Sequence, residues 1–166
     1  MNSKKIVKIA MVAAVYTVVS LVLAPISYGP IQVRIAECLT LLPLIWMPSI
    51  YALTLGCFLT NLLGVAFSVT GPIDIIVGTL ATLIASILTY KFKDKTIKNV
   101  PVLSILMPVI VNGVLVGIEL ACMLNPDMIP QMSLIYGLQV AAGELISVVL
   151  GWVLIKELEK TELFKD

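Results

Sequence analysis

Residues 102–124 read VLSILMPVIVNGVLVGIELACML, a run with no lysine or arginine and a single acid, Glu119. A helix of this length covers the ~30 Å hydrocarbon core of a bilayer, which takes about 20 mostly apolar residues. Apolar runs of similar character occupy residues 6–23, 49–69, 73–90 and 132–155. A further run, 31–46, is shorter and carries Arg34, Glu37 and Pro43, a pattern shared by a crossing and by a re-entrant or buried helix. It is counted here as a crossing. The connectors between runs hold the Pro, Gly and Asn residues expected of turns, such as Thr70-Gly71-Pro72 and Asn125-Pro126. The expected fold is all-α: one transmembrane domain, residues 1–166, built as a polytopic integral membrane bundle of six transmembrane helices.

The whole composition agrees with a lipid solvent. Hydrophobic residues make up 60% of the chain and charged residues 13%, too few charges to cover a globular surface. A net charge of +1, with lysines only in short clusters at the ends of apolar runs, excludes a nucleic-acid partner, which requires a basic stripe. The chain has no histidine, so Ser/His/Asp and Cys/His catalytic arrangements are excluded. Cys38, Cys57 and Cys122 stand singly within apolar segments and are expected to pack as apolar side chains; no metal site is expected.

The lysines give an independent check on the number of crossings, because positive charge beside span ends prefers the cytoplasm. Lys4, Lys5 and Lys8 precede the first run; Lys91, Lys93, Lys95 and Lys98 follow the fourth; Lys156, Lys160 and Lys165 follow the sixth. Six crossings put all of them on one side, whereas five would divide them. Both termini are therefore predicted to be cytoplasmic. The first run also has the look of a signal peptide, with Val22-Leu23-Ala24 as a cleavage-like triplet, but its apolar stretch exceeds the usual 7 to 15 residues and Pro25 follows at once. A retained helix is the favoured reading.

Polar and ionisable side chains inside spans are costly in lipid, so each marks a candidate site facing the protein interior. With a rise of ~1.5 Å per residue, Arg34 and Glu37 fall in the first turns of the second span and Asp74 heads the fourth. Asn61, Glu119 and Gln139 fall in outer halves, while Asn112 and Glu144 reach the middle. Asn112 and Glu119, seven apart, share a helix face; Tyr136, Gln139 and Gly143 are placed on one stripe. The expected site is a pocket opening outward, rather than a continuous channel. Other readings stay open: Arg34 and Glu37 as a mutual pair at the outer interface, Asn61 and Asn112 as interhelical hydrogen bonds, Asp74 as a helix cap. Arg34 is the one basic residue away from the lysine clusters, against Glu37, Asp74, Glu119 and Glu144; with most of those acids ionised the pocket favours a cation or a ligand rich in N–H donors, whereas protonation of one by desolvation keeps the site neutral. Separately, Ala10 and Ala14 on the first helix have the spacing that lets another helix approach closely, a candidate docking face. The short loops hold no Gly-rich phosphate cradle, so any ATP-driven step belongs to other subunits.

Residues 28–37, Tyr28-Gly29-Pro30-Ile31-Gln32-Val33-Arg34-Ile35-Ala36-Glu37, resemble the G-P-I-Q-x-R-I-S-E signature of the QueT-type queuosine-precursor transporters, with Ala36 in place of the serine. The likeness continues through Gly56-Cys57, Asn61 to Gly64, Asp74 to Thr82, Asn112 and Gly143-Glu144. It implies a six-helix S component of an energy-coupling factor (ECF) transporter in a prokaryotic plasma membrane. Such a subunit captures a 7-deazaguanine precursor from outside the cell and assembles with a transmembrane T subunit and two ATPases. It binds no cofactor itself, and its partners use the ATP. The resemblance also implies that Ala10 and Ala14 contact the T subunit. A deazaguanine offers N1–H and amino donors suited to a carboxylate, and an O6 acceptor suited to Asn, Gln or Arg. Glu119 and Glu144 are candidates for the donor edge, and Asn61, Asn112 and Arg34 for O6 and the rest of the ring; Glu37 or Asp74 would lie near an aminomethyl cation. Competing readings are an S component for another vitamin or nucleobase, a membrane-embedded enzyme using its buried carboxylates, and a purely structural subunit.

Overall fold

The structure, a computed structural model, describes residues 2–24, 34–67 and 71–164. Residues 25–33, with most of the Tyr28–Glu37 signature and the start of the second predicted span, lie outside the described residues, as do 68–70 at the end of the third. The described residues form α1 (Ser3–Val22), a 3-10 helix (Ile35–Leu44), α2 (Ser49–Ala66), α3 (Asp74–Lys91), α4 (Val102–Leu124), a short 3-10 turn (Pro126–Met128) and α5 (Ile129–Leu158). All five α-helices are long and apolar enough to cross a membrane. Their outward faces form an apolar belt that includes Val18, Phe58, Ile76, Val114, Leu138 and Val153, all exposed. Such a surface is stable against lipid tails and not against water.

The second predicted span differs from expectation. Within its described part, residues 34–46, ten residues form a 3-10 helix of about 20 Å at ~2.0 Å per residue, too short by itself for a ~30 Å core. Pro43 lies inside it, and Ala36, Glu37 and Thr40–Pro43 are buried. The segment packs against every one of the five α-helices and so forms the axis of the bundle. A 3-10 coil is narrower than an α-helix, and it fits beside α5 because Gly151 has no side chain: a Cβ there would collide with the Cys38 carbonyl.

Contacts fix the helix directions. Ile9 packs with Ala52, Tyr16 with Leu53 and Cys57, and Thr17 Oγ1 donates to Gly56 O at 3.1 Å, so α1 and α2 run parallel. The chain between them therefore returns to the end where α1 began. The 3-10 helix makes the last part of that return, parallel to α5: Ser147 Oγ donates to Arg34 O at 2.9 Å, Gly151 meets Cys38, and Leu41 and Leu42 cluster with Val148 and Ile155. Helices α2/α3, α3/α4 and α4/α5 are antiparallel neighbours, as shown by Asn61 with Asp74, Thr89 with Ser104, and Asn112 with Glu144. Between α4 and α5 the backbones nearly touch: a Cβ on Gly117 would lie 2.6 Å from Gly137 Cα. Small residues at a seam replace the missing hydrophobic drive for helix association in lipid.

The lysine clusters meet at one end. Ile9 packs with Trp46 and Phe164, and the Trp46 and Phe164 rings are 5.1 Å apart, which joins the start of α1 to the tail. Lys93, Asp94 and Asn99 border the same depression as Trp152, Lys156 and Glu159. Here the α3–α4 loop closes as a tight turn, in which Ile97 and Val100 exchange hydrogen bonds and Lys98 and Asn99 take positive φ of 49° and 63°. Of the cysteines, Cys57 is buried, Cys38 is half-buried, and Cys122, expected to pack inside, is exposed on α4.

Candidate functional site

The buried ionisable groups lie away from the lysine end. Glu37, Asp74, Glu119 and Glu144 are 1%, 7%, 6% and 2% exposed, so each carboxylate must be offset by a donor or a cation. Arg34, just before the 3-10 helix, places Nη2 3.5 Å from Asp74 Oδ2, and its side chain is 20% exposed. Asp74 sits in the first turn of α3, where the helix dipole favours a negative charge. Asn61 on α2 donates to the Asp74 main-chain carbonyl at 2.8 Å, fixing the start of α3 against α2. Gly78 makes room for this: a Cβ there would be 2.5 Å from Asp74 Oδ1 and 2.7 Å from Asn61 Nδ2.

Glu37 is held differently from the outer-interface pair considered from sequence. Its neighbour Arg34 is tied through its carbonyl to Ser147 on α5, one turn from Glu144, and pairs with Asp74. Glu37 itself accepts a hydrogen bond from the Tyr16 hydroxyl on α1, while its Oε2 is buried with no hydrogen-bond partner. On the other side of the bundle, Asn112 Nδ2 donates to Glu144 Oε1 at 3.1 Å, joining α4 to α5. Glu119 shares the face of Asn112 one turn pair further out, and both its carboxylate oxygens are buried without a hydrogen bond.

Direct bonds thus divide the predicted residues into an Arg34–Asp74–Asn61 group, a Tyr16–Glu37 pair, an Asn112–Glu144 pair and Glu119. Charge joins them: Glu119 interacts electrostatically with Asp74 and Arg34, Glu144 with Glu37 and Arg34, and Glu37 with Asp74. Gln139 does not join. It is exposed, while the buried line of α5 runs through Val140, Gly143, Glu144, Ser147 and Val148. Tyr136, placed with it from sequence, bonds instead to Asn125 Oδ1 at 2.6 Å. Ala10 and Ala14 are both exposed on α1, beside the buried stripe of Ala13, Tyr16 and Thr17.

Tyr16 and Ser147 were not singled out from sequence. Tyr16 carried a usable signal, because a tyrosine in the middle of a span, away from the interfacial belt, needs a buried partner for its hydroxyl. Ser147 carried none, since its partner is a main-chain carbonyl more than a hundred positions away.

Comparison with known proteins places this arrangement. The queuosine precursor transporter QueT of Lactococcus lactis subsp. cremoris (strain MG1363) is 41% identical over 81 residues, which cover 48% of this chain and 45% of that relative. The match thus spans about half of each protein. No solved structure matches. Residues 6–160, nearly the whole bundle including every predicted site residue, match the family described as QueT transporter, and the chain belongs to that family of membrane transport proteins.

Proposed function

We propose that this chain is the substrate-capturing S component of an ATP-driven ECF importer, binding a 7-deazaguanine precursor of queuosine from outside the cell. The observation that carries the reading is the set of buried acceptor oxygens without hydrogen bonds: both of Glu119, Oε2 of Glu37 and Oδ1 of Asp74. An acceptor-rich interior of this kind matches a ligand edge rich in N–H donors, and an aminomethyl cation would offset the excess of carboxylates over Arg34. The name of the Lactococcus relative supports the same substrate class.

The topology that goes with this function has six traversals, with both termini in the cytoplasm of a prokaryotic cell. The parallel course of α1 and α2 supports it, since the chain must come back between them, and the lysines share one end. That end would face the cytoplasm. Energy would come from partner subunits, a T subunit and two ATPases, docked on the exposed Ala10 and Ala14 face of α1.

The direct test is equilibrium binding of 7-deazaguanine and its aminomethyl derivative to the purified chain in detergent or nanodiscs. Saturable binding of either is expected. No binding to any deazaguanine would end the substrate assignment. Recovery of a different vitamin or base from the purified protein by mass spectrometry would redirect it.

A further inference from the structure

Among the described residues four carboxylates are buried, and one of them keeps its whole acceptor capacity. Glu37 takes the Tyr16 hydroxyl, Glu144 takes the Asn112 amide, and Asp74 faces the Arg34 guanidinium. Glu119 is 6% exposed and neither oxygen has a hydrogen bond. Leaving a buried carboxylate unpaired costs far more than a lost neutral hydrogen bond. Its neighbours make the cost worse, because Asp74 adds a like charge, offset in part by Arg34. The ligand is the natural source of the missing donors.

A carboxylate with both oxygens open is suited to two parallel N–H donors on adjacent atoms, the pattern of a ring N–H beside an exocyclic amino group. A carboxylate whose oxygen already takes a protein amide has its orientation set by that bond and fewer lone pairs left for a paired donor edge. Resting on the S-component reading above, we infer that Glu119 is the specificity-determining residue, receiving the paired N1–H and amino donors of the guanine-type edge. Glu144 and Glu37 then position the walls of the site and do not read that edge. The choice between Glu119 and Glu144, both candidates for the donor edge from sequence, is made by the Asn112 bond.

The test compares two ligands on three proteins. 7-Deazaguanine carries both donors, and 7-deazahypoxanthine lacks only the amino group. The native chain should favour 7-deazaguanine by about tenfold or more, the loss expected when one charge-assisted hydrogen bond goes unmade. In Glu119→Gln that preference should fall to about threefold or less, with 7-deazahypoxanthine still bound, which also shows that the variant is folded. Glu144→Gln should weaken both ligands by a similar factor and keep the preference. The inference is overturned if Glu119→Gln keeps the native preference, if it loses both ligands together, or if Glu144→Gln is the variant that erases the preference. Equal binding of both ligands by the native chain overturns it while leaving capture of a deazapurine standing. Binding of neither removes the transport substrate itself.

Discussion

The Tyr16 hydroxyl on α1 donates a hydrogen bond to Glu37 on the central 3-10 helix, so the helix with the most exposed face also touches the buried acids. The same helix leaves Ala10 and Ala14 exposed while Ala13, Tyr16 and Thr17 beside them reach the interior. Tyr16→Phe keeps the ring and removes the donor. It leaves Glu37 with both oxygens unpaired, for which a loss of about 1–3 kcal/mol in stability is expected. Unfolding in detergent, monitored by tryptophan fluorescence or circular dichroism, measures it. Adding Glu37→Gln should recover part of the loss, because a neutral amide is cheaper to bury; a double variant less stable than Tyr16→Phe alone would contradict this account.

The outer face of α1 makes a different prediction. Ala10→Trp and Ala14→Trp change side chains that are exposed in this chain by itself, so ligand binding to the isolated subunit should stay within about twofold of native, as surface changes away from buried features have small effects. Uptake by cells, and recovery of the chain with T and ATPase subunits, should be lost. Unchanged uptake would remove this face from the docking surface.

Gly78 supports the site by what it lacks. A Gly78→Ala methyl would stand 2.5 Å from Asp74 Oδ1 and 2.7 Å from Asn61 Nδ2. Both side chains must move, and the 2.8 Å bond from Asn61 to the Asp74 carbonyl is the contact at risk. Ligand affinity should fall by about threefold to tenfold, in line with one strained or broken hydrogen bond, while the bundle stays folded. At Gly117 the obstacle is main chain: its Cβ would be 2.6 Å from Gly137 Cα and 2.7 Å from Gly137 N. Gly117→Val should therefore separate α4 from α5 and lower thermal stability more than any site substitution, since backbone cannot rotate away. A higher midpoint for Gly117→Val than for Gly78→Ala would show that the seam is looser than these distances imply.

The contrast between these sites shows where sequence reading succeeds and where it stops. The five long helices were legible because each is a continuous apolar run with charges or turn residues at its ends, as in residues 102–124. The 3-10 helix was not, because Arg34, Glu37 and Pro43 in a short apolar run suit a crossing, a re-entrant segment or a buried helix, and only its contacts with all five α-helices reveal its place on the bundle axis. The mid-span depth of Asn112 and Glu144 was legible, but not the bond that joins them. The Tyr16–Glu37 and Ser147–Arg34 contacts join segments far apart in the chain, which periodicity cannot register. Gln139 illustrates the limit of spacing arguments: three residues from Tyr136 and four from Gly143, it sits at the edge of that face, and the bundle buries the line through Val140, Gly143 and Ser147 instead.

Orientation offers the last prediction. The lysine end includes the α3–α4 loop, and the opposite end includes the turn at Pro126–Met128. Thr96 and Asp127 are both exposed, one at each end, so a cysteine at either position is reachable by a reagent on its own side of the membrane. In a background with Cys38, Cys57 and Cys122 replaced by alanine, Asp127→Cys should react with a membrane-impermeant maleimide on intact cells. Thr96→Cys should react only after the cells are opened. The asymmetry follows from the cost of carrying Lys93, Lys95 and Lys98 across the bilayer during insertion, compared with a turn that holds a single acid and no base. The reverse labelling pattern would put the buried acids in the half facing the cytoplasm, and a capture site open to the outside would then be untenable.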